Sequence, residues 1–273
     1  MIKGKILGNR YVVNGLSADI SGFIPDMSAD TYYEVVRLID GKILFLDDHL
    51  ERLGKSVSGS TIEFPGDQRI ITSLRLLINE NPFSAGNIRI CLQKTGEGTN
   101  SLQCYYIPYI YPDQSMYLEG VNLSIYPHQR HNPGIKKWDD QFRRSVGEFI
   151  REQGVYEAIL INPENQLTEG SRSNIFFIDQ EGSMITVPEK EILPGITRKY
   201  VLEIARKNDI RILEKIVSLQ EMDSMVSVFI SGTSPKVLPV KQIDKHYFDT
   251  NLPLLHLLKD EFEQVVKSHL TKL

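Results

Sequence analysis

Several short runs of this sequence combine groups able to do chemistry. In Leu193-Pro194-Gly195-Ile196-Thr197-Arg198, a Pro-Gly pair leads into residues with helical spacing. Such a helix start offers backbone N–H groups and a favourable dipole to an anion, and the glycine lets the backbone come close. Arg89 lies in the middle of Asn87-Ile88-Arg89-Ile90-Cys91-Leu92-Gln93, an apolar strand-like run. Arginine is costly there unless a carboxylate partners it, either one from a ligand or one from the protein itself. Lys136 and Lys137 stand side by side, and each alone would be a solvated lysine. Taken singly, Glu169 reads as a turn glutamate, Thr233 as a turn residue and Tyr33 as a packed strand tyrosine. Arg52 alone reads as a helix-surface arginine pairing with Asp47, Asp48 or Glu51.

Other chemistries find no motif. The chain has no glycine-rich dinucleotide or P-loop run and no Gly-x-Ser-x-Gly nucleophile elbow. Its histidines, His49, His128, His131, His246, His256 and His269, have no paired metal-ligand spacing. His128 and His131 fall in a proline-containing loop and are expected to be solvated. The net charge of -4 disfavours a dedicated nucleic-acid binder. Cys91 and Cys104 are too few for a disulfide scaffold or a thiolate metal site. The first residues lack a signal-peptide pattern, and no run is apolar enough to span a bilayer. A cytoplasmic protein with small-molecule partners, and neither nucleic acid nor membrane, is expected.

The elements that must position these groups follow from periodicity. Residues 31–38 predict a strand, Asp40-Gly41 a hairpin turn, and 43–46 the return strand. Asp47 and Asp48 open a short helix containing His49 and Arg52. Ile88, Ile90 and Leu92 share one face of a strand that pairs with 102–110. Helices are predicted over 140–153, with Phe142, Val146, Phe149 and Ile150 on one face, and over 196–207. A last helix puts Leu255, Leu258, Phe262 and Val265 together. Strands are predicted at 155–161, on either side of Gln180-Glu181-Gly182, and at 226–231. The chain of 273 residues is therefore mixed α/β (α+β). It is divided here into an N-terminal α/β domain (1–113), a linker (114–119) and a C-terminal domain (120–273).

Three groups of motifs recur in one order. The first is Tyr33-Glu34-Val35-Val36-Arg37, Asp40-Gly41-Lys42 and Asp48-His49-Leu50-Glu51-Arg52-Leu53. The second is Gly134-Ile135-Lys136 before an amphipathic helix, then Tyr156-Glu157-Ala158-Ile159-Leu160. The third is Thr168-Glu169-Gly170-Ser171-Arg172-Ser173-Asn174-Ile175-Phe176, the Leu193 to Arg198 run, and Ser231-Gly232-Thr233-Ser234. From about Tyr33 to Val240 the chain resembles the class-IV (fold-type IV) pyridoxal-phosphate enzymes. That family holds branched-chain aminotransferases, D-amino-acid aminotransferases and aminodeoxychorismate lyases.

The resemblance implies a two-domain fold, with a smaller N-terminal α/β domain and a larger C-terminal mixed α/β pseudo-barrel that binds pyridoxal 5'-phosphate. It also implies a homodimer. It makes Lys136, rather than Lys137, the catalytic lysine whose amine takes the cofactor's aldehyde as a Schiff base. It pairs Glu169 with the pyridine nitrogen. It gives the phosphate to Arg52, to the N–H groups of Ile196 and Thr197, and to the hydroxyls of Thr197 and Thr233. Tyr33 and Arg89 are implied to meet the substrate. The implied reaction moves an amino group between an amino acid, such as a branched-chain one, and a 2-oxo acid. The alternatives are an aminodeoxychorismate lyase and a non-catalytic cofactor binder.

The chain departs from the family pattern in places. The usual glycine-rich lead-in is replaced over residues 21–31. No Arg-x-His carboxylate trap appears at 94–101, which argues against a D-amino-acid enzyme. Asp139 stands where asparagine is common, and Arg172 where a small residue is common.

Overall fold

The computed structural model describes residues 6–23, 30–96 and 98–273. Residues 24–29 of the altered lead-in, and Glu97, lie outside the described residues. Internal contacts divide the protein into two compact units. Unit 1 comprises Met1–Ile110, Ile135–Asp140 and Val266–Leu273; unit 2 comprises Tyr111–Gly134 and Gln141–Val265.

In chain order, unit 1 contains β1 (Leu7–Val13), β2 (Leu16–Asp19), β3 (Tyr32–Ile39), β4 (Lys42–Leu44), α1 (Leu46–Val57), α2 (Asp67–Asn79), β5 (Gly86–Lys94) and β6 (Asn100–Ile107). The strands form a seven-stranded sheet whose remaining member comes from the chain's last residues and pairs with β4. The Asp40-Gly41 turn joins β3 to β4 with both residues at positive φ, 49° and 72°. That is the backbone a two-residue hairpin requires. Alternation then sorts the side chains. Val36, Leu38, Ile88, Ile90 and Leu92 pack under Leu50 and Leu53 of α1 and Leu74 and Leu77 of α2. Tyr33, Cys91 and Tyr105 gather on the other face with Tyr11, Phe23 and Trp138.

Unit 2 contains α3 (Gln114–Glu119), β7 (Val121–Pro127), α4 (Asp140–Gln153), β8 (Glu157–Ile161), β9 (Gln166–Gly170), β10 (Asn174–Ile178), β11 (Met184–Thr186), α5 (Ile196–Lys207), β12 (Ile212–Glu214), β13 (Val217–Ser218), β14 (Ser227–Gly232), β15 (Lys236–Ile243), β16 (His246–Tyr247) and α6 (Pro253–Ser268). Asp140 at the start of α4, the end of α6 from Val266, and the final strand, β17 (Leu270–Lys272), are counted in unit 1. The unit 2 sheet runs β12-β11-β10-β14-β15-β7-β8-β9-β13, with β16 on β15. β8 and β10 are buried along their whole length. This matches the continuous apolar runs of strands covered on both faces. Residues 114–119, read as a linker, form α3, whose start is capped by the Asp113 carboxylate accepting from Met116 N–H at 2.9 Å. In α6 the buried residue at the end of the apolar face is Val266, not Val265. Among the described residues no helix is long and apolar enough to cross a membrane.

The hairpin gives a clean test of backbone strain. A Cβ on Gly41 meets nothing within 4 Å, so only its φ of 72° resists substitution. Gly41→Val is expected to lower unfolding free energy by about 1–2 kcal/mol. Urea unfolding measures this; an unchanged midpoint would mean the turn tolerates a side chain.

Candidate active site

In unit 1, Lys136 is placed by backbone pairing. β4 pairs with β3 only at Leu38 and Ile39. The start of β3 is met instead by residues 135–138. Tyr33 N–H donates to the Lys136 carbonyl at 3.1 Å, Trp138 N–H donates to the Thr31 carbonyl at 2.8 Å, and Tyr32 bridges Lys137. Alternation then separates the two lysines. Lys136 is half-buried, with its Nζ 5.1 Å from the Tyr33 ring centre. Lys137 is exposed and pairs with Asp30 at 2.9 Å. Trp138 follows on the Lys136 side, edge-on to Tyr33 at 5.6 Å. The Arg89 guanidinium stands over the rings of Trp138, Tyr33 and Tyr105 at 5.0, 5.7 and 5.8 Å. Burial works against its charge, but Tyr105, Cys91 and Tyr33 outweigh burial and hold Arg89 cationic.

Arg52 has a partner that its own helix does not supply. His49 and Arg52 lie three apart on α1 and both reach Glu34 of β3. Arg52 binds the Glu34 carboxylate as a fork, Nε to Oε1 at 2.7 Å and Nη2 to Oε2 at 2.7 Å. His49 Nδ1 sits 2.8 Å from Oε2. Glu51 pairs with Lys55 instead, at 2.6 Å. Burial opposes ionisation of Glu34, yet Arg52 and His49 overcome it and hold Glu34 far below the usual carboxylate range. Glu34 is therefore an acceptor, and His49 Nδ1 carries the donated proton.

In unit 2 the residues around Glu169 form a tight loop wrapped on a second carboxylate. Glu157, fully buried on β8, accepts from Ser171 Oγ at 3.2 Å, Ser173 Oγ at 3.0 Å and the Arg172 N–H. A Cβ on Gly170 would lie 2.2 Å from Ser173 Oγ and 2.8 Å from Glu157 Oε1, so only glycine passes. Glu169 itself is buried. Its Oε1 lies 3.0 Å from Arg130 Nε, and its Oε2 accepts from Leu193 N–H at 3.2 Å. Arg130 and Arg143 both donate to the Ser171 carbonyl, at 3.3 and 3.0 Å. Arg172 is exposed and donates to the Tyr156 carbonyl at 3.0 Å. Asp139, on unit 1, is also exposed.

Asn174 links this loop to α5. Its Nδ2 donates to the Leu193 carbonyl at 2.9 Å, and its Oδ1 lies 1.9 Å from where a Gly195 Cβ would be. Gly195 caps α5 without any side chain, and the first turn holds no acidic residue. Ile196 and Thr197 are buried there, and Thr233 is half-buried. Arg198 is buried differently, donating to Thr186 Oγ1 at 3.2 Å and the Val187 carbonyl at 3.0 Å.

Thus unit 1 carries Tyr33, Arg52, Arg89 and Lys136, while unit 2 carries Glu169, Ile196, Thr197 and Thr233. Sequence reading overlooks Glu34, His49, Arg130, Trp138, Glu157 and Asn174 as site builders. A signal existed for Glu34: its period-two neighbours Val36 and Leu38 are core residues, so a carboxylate in line with them needs cations. No comparable signal marks Arg130. One expectation changes: His128 is half-buried, its ring stacked on Phe142 at 4.1 Å, while His131 is exposed. Among the described residues no His, Cys, Asp and Glu group could hold a metal ion.

The profile of amino-transferase class IV matches residues 31–243. The chain belongs to that family, and is an enzyme of its pyridoxal-phosphate-dependent transaminases. A Methanocaldococcus jannaschii protein named provisionally as a branched-chain-amino-acid aminotransferase is 26% identical, over 96% of each chain. D-alanine aminotransferase of Listeria monocytogenes serotype 4b is 28% identical, over 88% of each. The crystal structure of a branched-chain aminotransferase from Thermoproteus uzoniensis with norvaline superposes with a TM-score of 0.83 at 22% identity, covering 97% of this chain and 99% of that one.

The donors present suit the cofactor. A phosphate needs a helix start whose first-turn N–H groups no acidic side chain uses, and α5 has a glycine cap and no acidic residue in its first turn. An aldehyde needs a primary amine out of full solvent contact, and Lys136 is half-buried beside an aromatic ring.

The Glu34 cluster sets a pH dependence. Burial holds the His49 ring below its ordinary 6.5, helped by Arg52 and Lys136 against the pull of Glu34. With the folded value depressed, the unfolded chain binds the proton first. Stability is complete above the ordinary value and is lost as pH falls from 6.5 toward the folded value. His49→Asn is expected to lower the melting temperature at neutral pH but to flatten its fall between about pH 7 and 5.5. Parallel slopes in the two proteins would remove His49 from this role.

Proposed function

We propose that this transaminase exchanges an amino group between an apolar L-amino acid and an acidic 2-oxo acid, with Lys136 as its catalytic lysine. The observation that carries the reading is the pairing of 135–138 with β3, which turns Lys136 toward Tyr33 and Lys137 toward Asp30. When bound, pyridoxal phosphate supplies an electron sink for the bonds of the substrate's Cα.

The protein's own groups do the rest. Lys136 Nζ would hold the cofactor's aldehyde carbon; displaced from it by the substrate's amine, the free Nζ would carry a proton from substrate Cα to that carbon. Glu169 accepts a hydrogen bond from the protonated ring nitrogen, and Arg130 beside it balances the carboxylate's charge. Arg52, the N–H groups of Ile196 and Thr197, and the hydroxyls of Thr197 and Thr233 hold the phosphate. Glu34 fixes the direction of the Arg52 fork. Arg89 offers its charge to a substrate carboxylate, while the rings of Tyr33, Tyr105 and Trp138 around it suit an apolar chain.

A homodimer and a cytoplasmic location belong to the same proposal. Exposed Leu16 and Ile110 support the first. The unpaired, buried thiols of Cys91 and Cys104 support the second.

Lys136→Ala is expected to lose the visible absorbance of lysine-bound cofactor and all turnover, while Lys137→Ala keeps both. Borohydride reduction followed by peptide mapping checks this, and a label on Lys137 overturns the assignment. For the substrate reading, Arg89→Ala is expected to raise KM for glutamate or 2-oxoglutarate more than for leucine. Equal loss with every substrate, together with a lower melting temperature, would make Arg89 structural. Faster turnover of D-alanine than of any L-amino acid would reverse the stereochemical assignment.

A further inference from the structure

We propose that Ser231 is a further ligand of the anion at the start of α5, its hydroxyl donating to a phosphate monoester oxygen. The proposal builds on the phosphate reading of α5 given above and adds a residue to it.

The placement comes from strand register. β10 and β14 are antiparallel, with Asn174 directly opposite Ser231 and Phe176 directly opposite Phe229. Directly opposed residues share one face of a sheet. Phe176 and Phe229 on that face stack at 4.7 Å with nearly parallel rings. The next pair outward is Asn174 and Ser231. The Asn174 side chain is already located: it holds the Leu193 carbonyl and fills the space beside Gly195. That end of the face therefore looks onto the first residues of α5, and Ser231 lies across from Asn174 on it.

The Ser231 hydroxyl has no protein partner to explain it. The residue is 1% exposed, and its Oγ makes no hydrogen bond among the described residues. Leaving a buried hydroxyl unsatisfied is destabilising and rare. Alanine at this position would fill nearly the same space without that cost. A helix of 12 residues begins beside it, with a glycine cap and no acidic side chain to use its first-turn N–H groups. A hydroxyl and a helix start are both donors, so they require the same thing, an anion with several acceptor oxygens. Thr233, two residues along the same chain, is placed to contribute from the same end.

The test compares wild type with Ser231→Ala for binding pyridoxal phosphate, unphosphorylated pyridoxal and inorganic phosphate, and compares the melting of both proteins without ligand. Removing a hydrogen bond to a charged group is expected to weaken pyridoxal phosphate about ten- to hundredfold. Pyridoxal should be held equally by both proteins, and the ligand-free variant should melt no lower than wild type. Unchanged affinity for pyridoxal phosphate overturns the proposal. So does equal loss for both aldehydes with a lower melting temperature, because the hydroxyl would then be structural. If wild type takes up neither aldehyde but binds inorganic phosphate, and Ser231→Ala loses it, the cofactor reading fails and the Ser231 assignment stands. If wild type binds neither the aldehydes nor phosphate, both fall.

Discussion

A carboxylate removed from water must have its lone pairs met by donors, and this protein has one such carboxylate in unit 1 and two in unit 2. Glu34, Glu157 and Glu169 are all buried. Each is surrounded by donors that arrive from distant parts of the chain. Taking a single partner from such a group leaves an uncompensated charge, a loss of about 3–5 kcal/mol in comparable buried pairs. The donors are thereby held in position. Glu34 directs Arg52 within unit 1. Within unit 2, Glu157 shapes the loop that presents Glu169, and Glu169 in turn ties down Leu193 just before α5.

This arrangement gives the Glu169 to Asn174 segment a physical account residue by residue. Glu169 faces Arg130 and the approach to α5. Gly170 is the only residue that clears Glu157 and Ser173. Ser171 and Ser173 point inward as donors to Glu157, while Arg172 points outward and contributes its backbone N–H. Asn174 ends the loop by seating the start of α5. The charge of Arg172, conspicuous in a motif that otherwise uses small residues there, is spent on a backbone carbonyl and solvent.

Local periodicity carries the elements it can see. Ile88, Ile90 and Leu92 announce both the strand and its buried face, and Asp40-Gly41 announces the hairpin, because each signal is contained in a few consecutive residues. Helix α5 begins at Ile196, directly after the Pro-Gly pair that marks it. α2 is missed by the sequence reading, although Ile70, Leu74 and Leu77 stand at helical spacing. β17 is missed too, being three residues long and stabilised by its partner β4. Partnerships across long separations are likewise silent: nothing near Glu34 names His49 and Arg52 as its cations. The inclusion of residues 135–140 in unit 1 depends on backbone bonds to β3, and backbone bonds have no side-chain signature.

The chain has a single tryptophan, Trp138, two residues past Lys136. Its indole lies edge-on to Tyr33 and beneath the Arg89 guanidinium. All indole emission from this protein therefore originates at one address. Nearby tyrosines feed excitation into it, a stacked cation perturbs its excited state, and any chromophore carried by the neighbouring lysine would drain it. The fold has in effect installed an optical probe two residues from Lys136, readable without a dye.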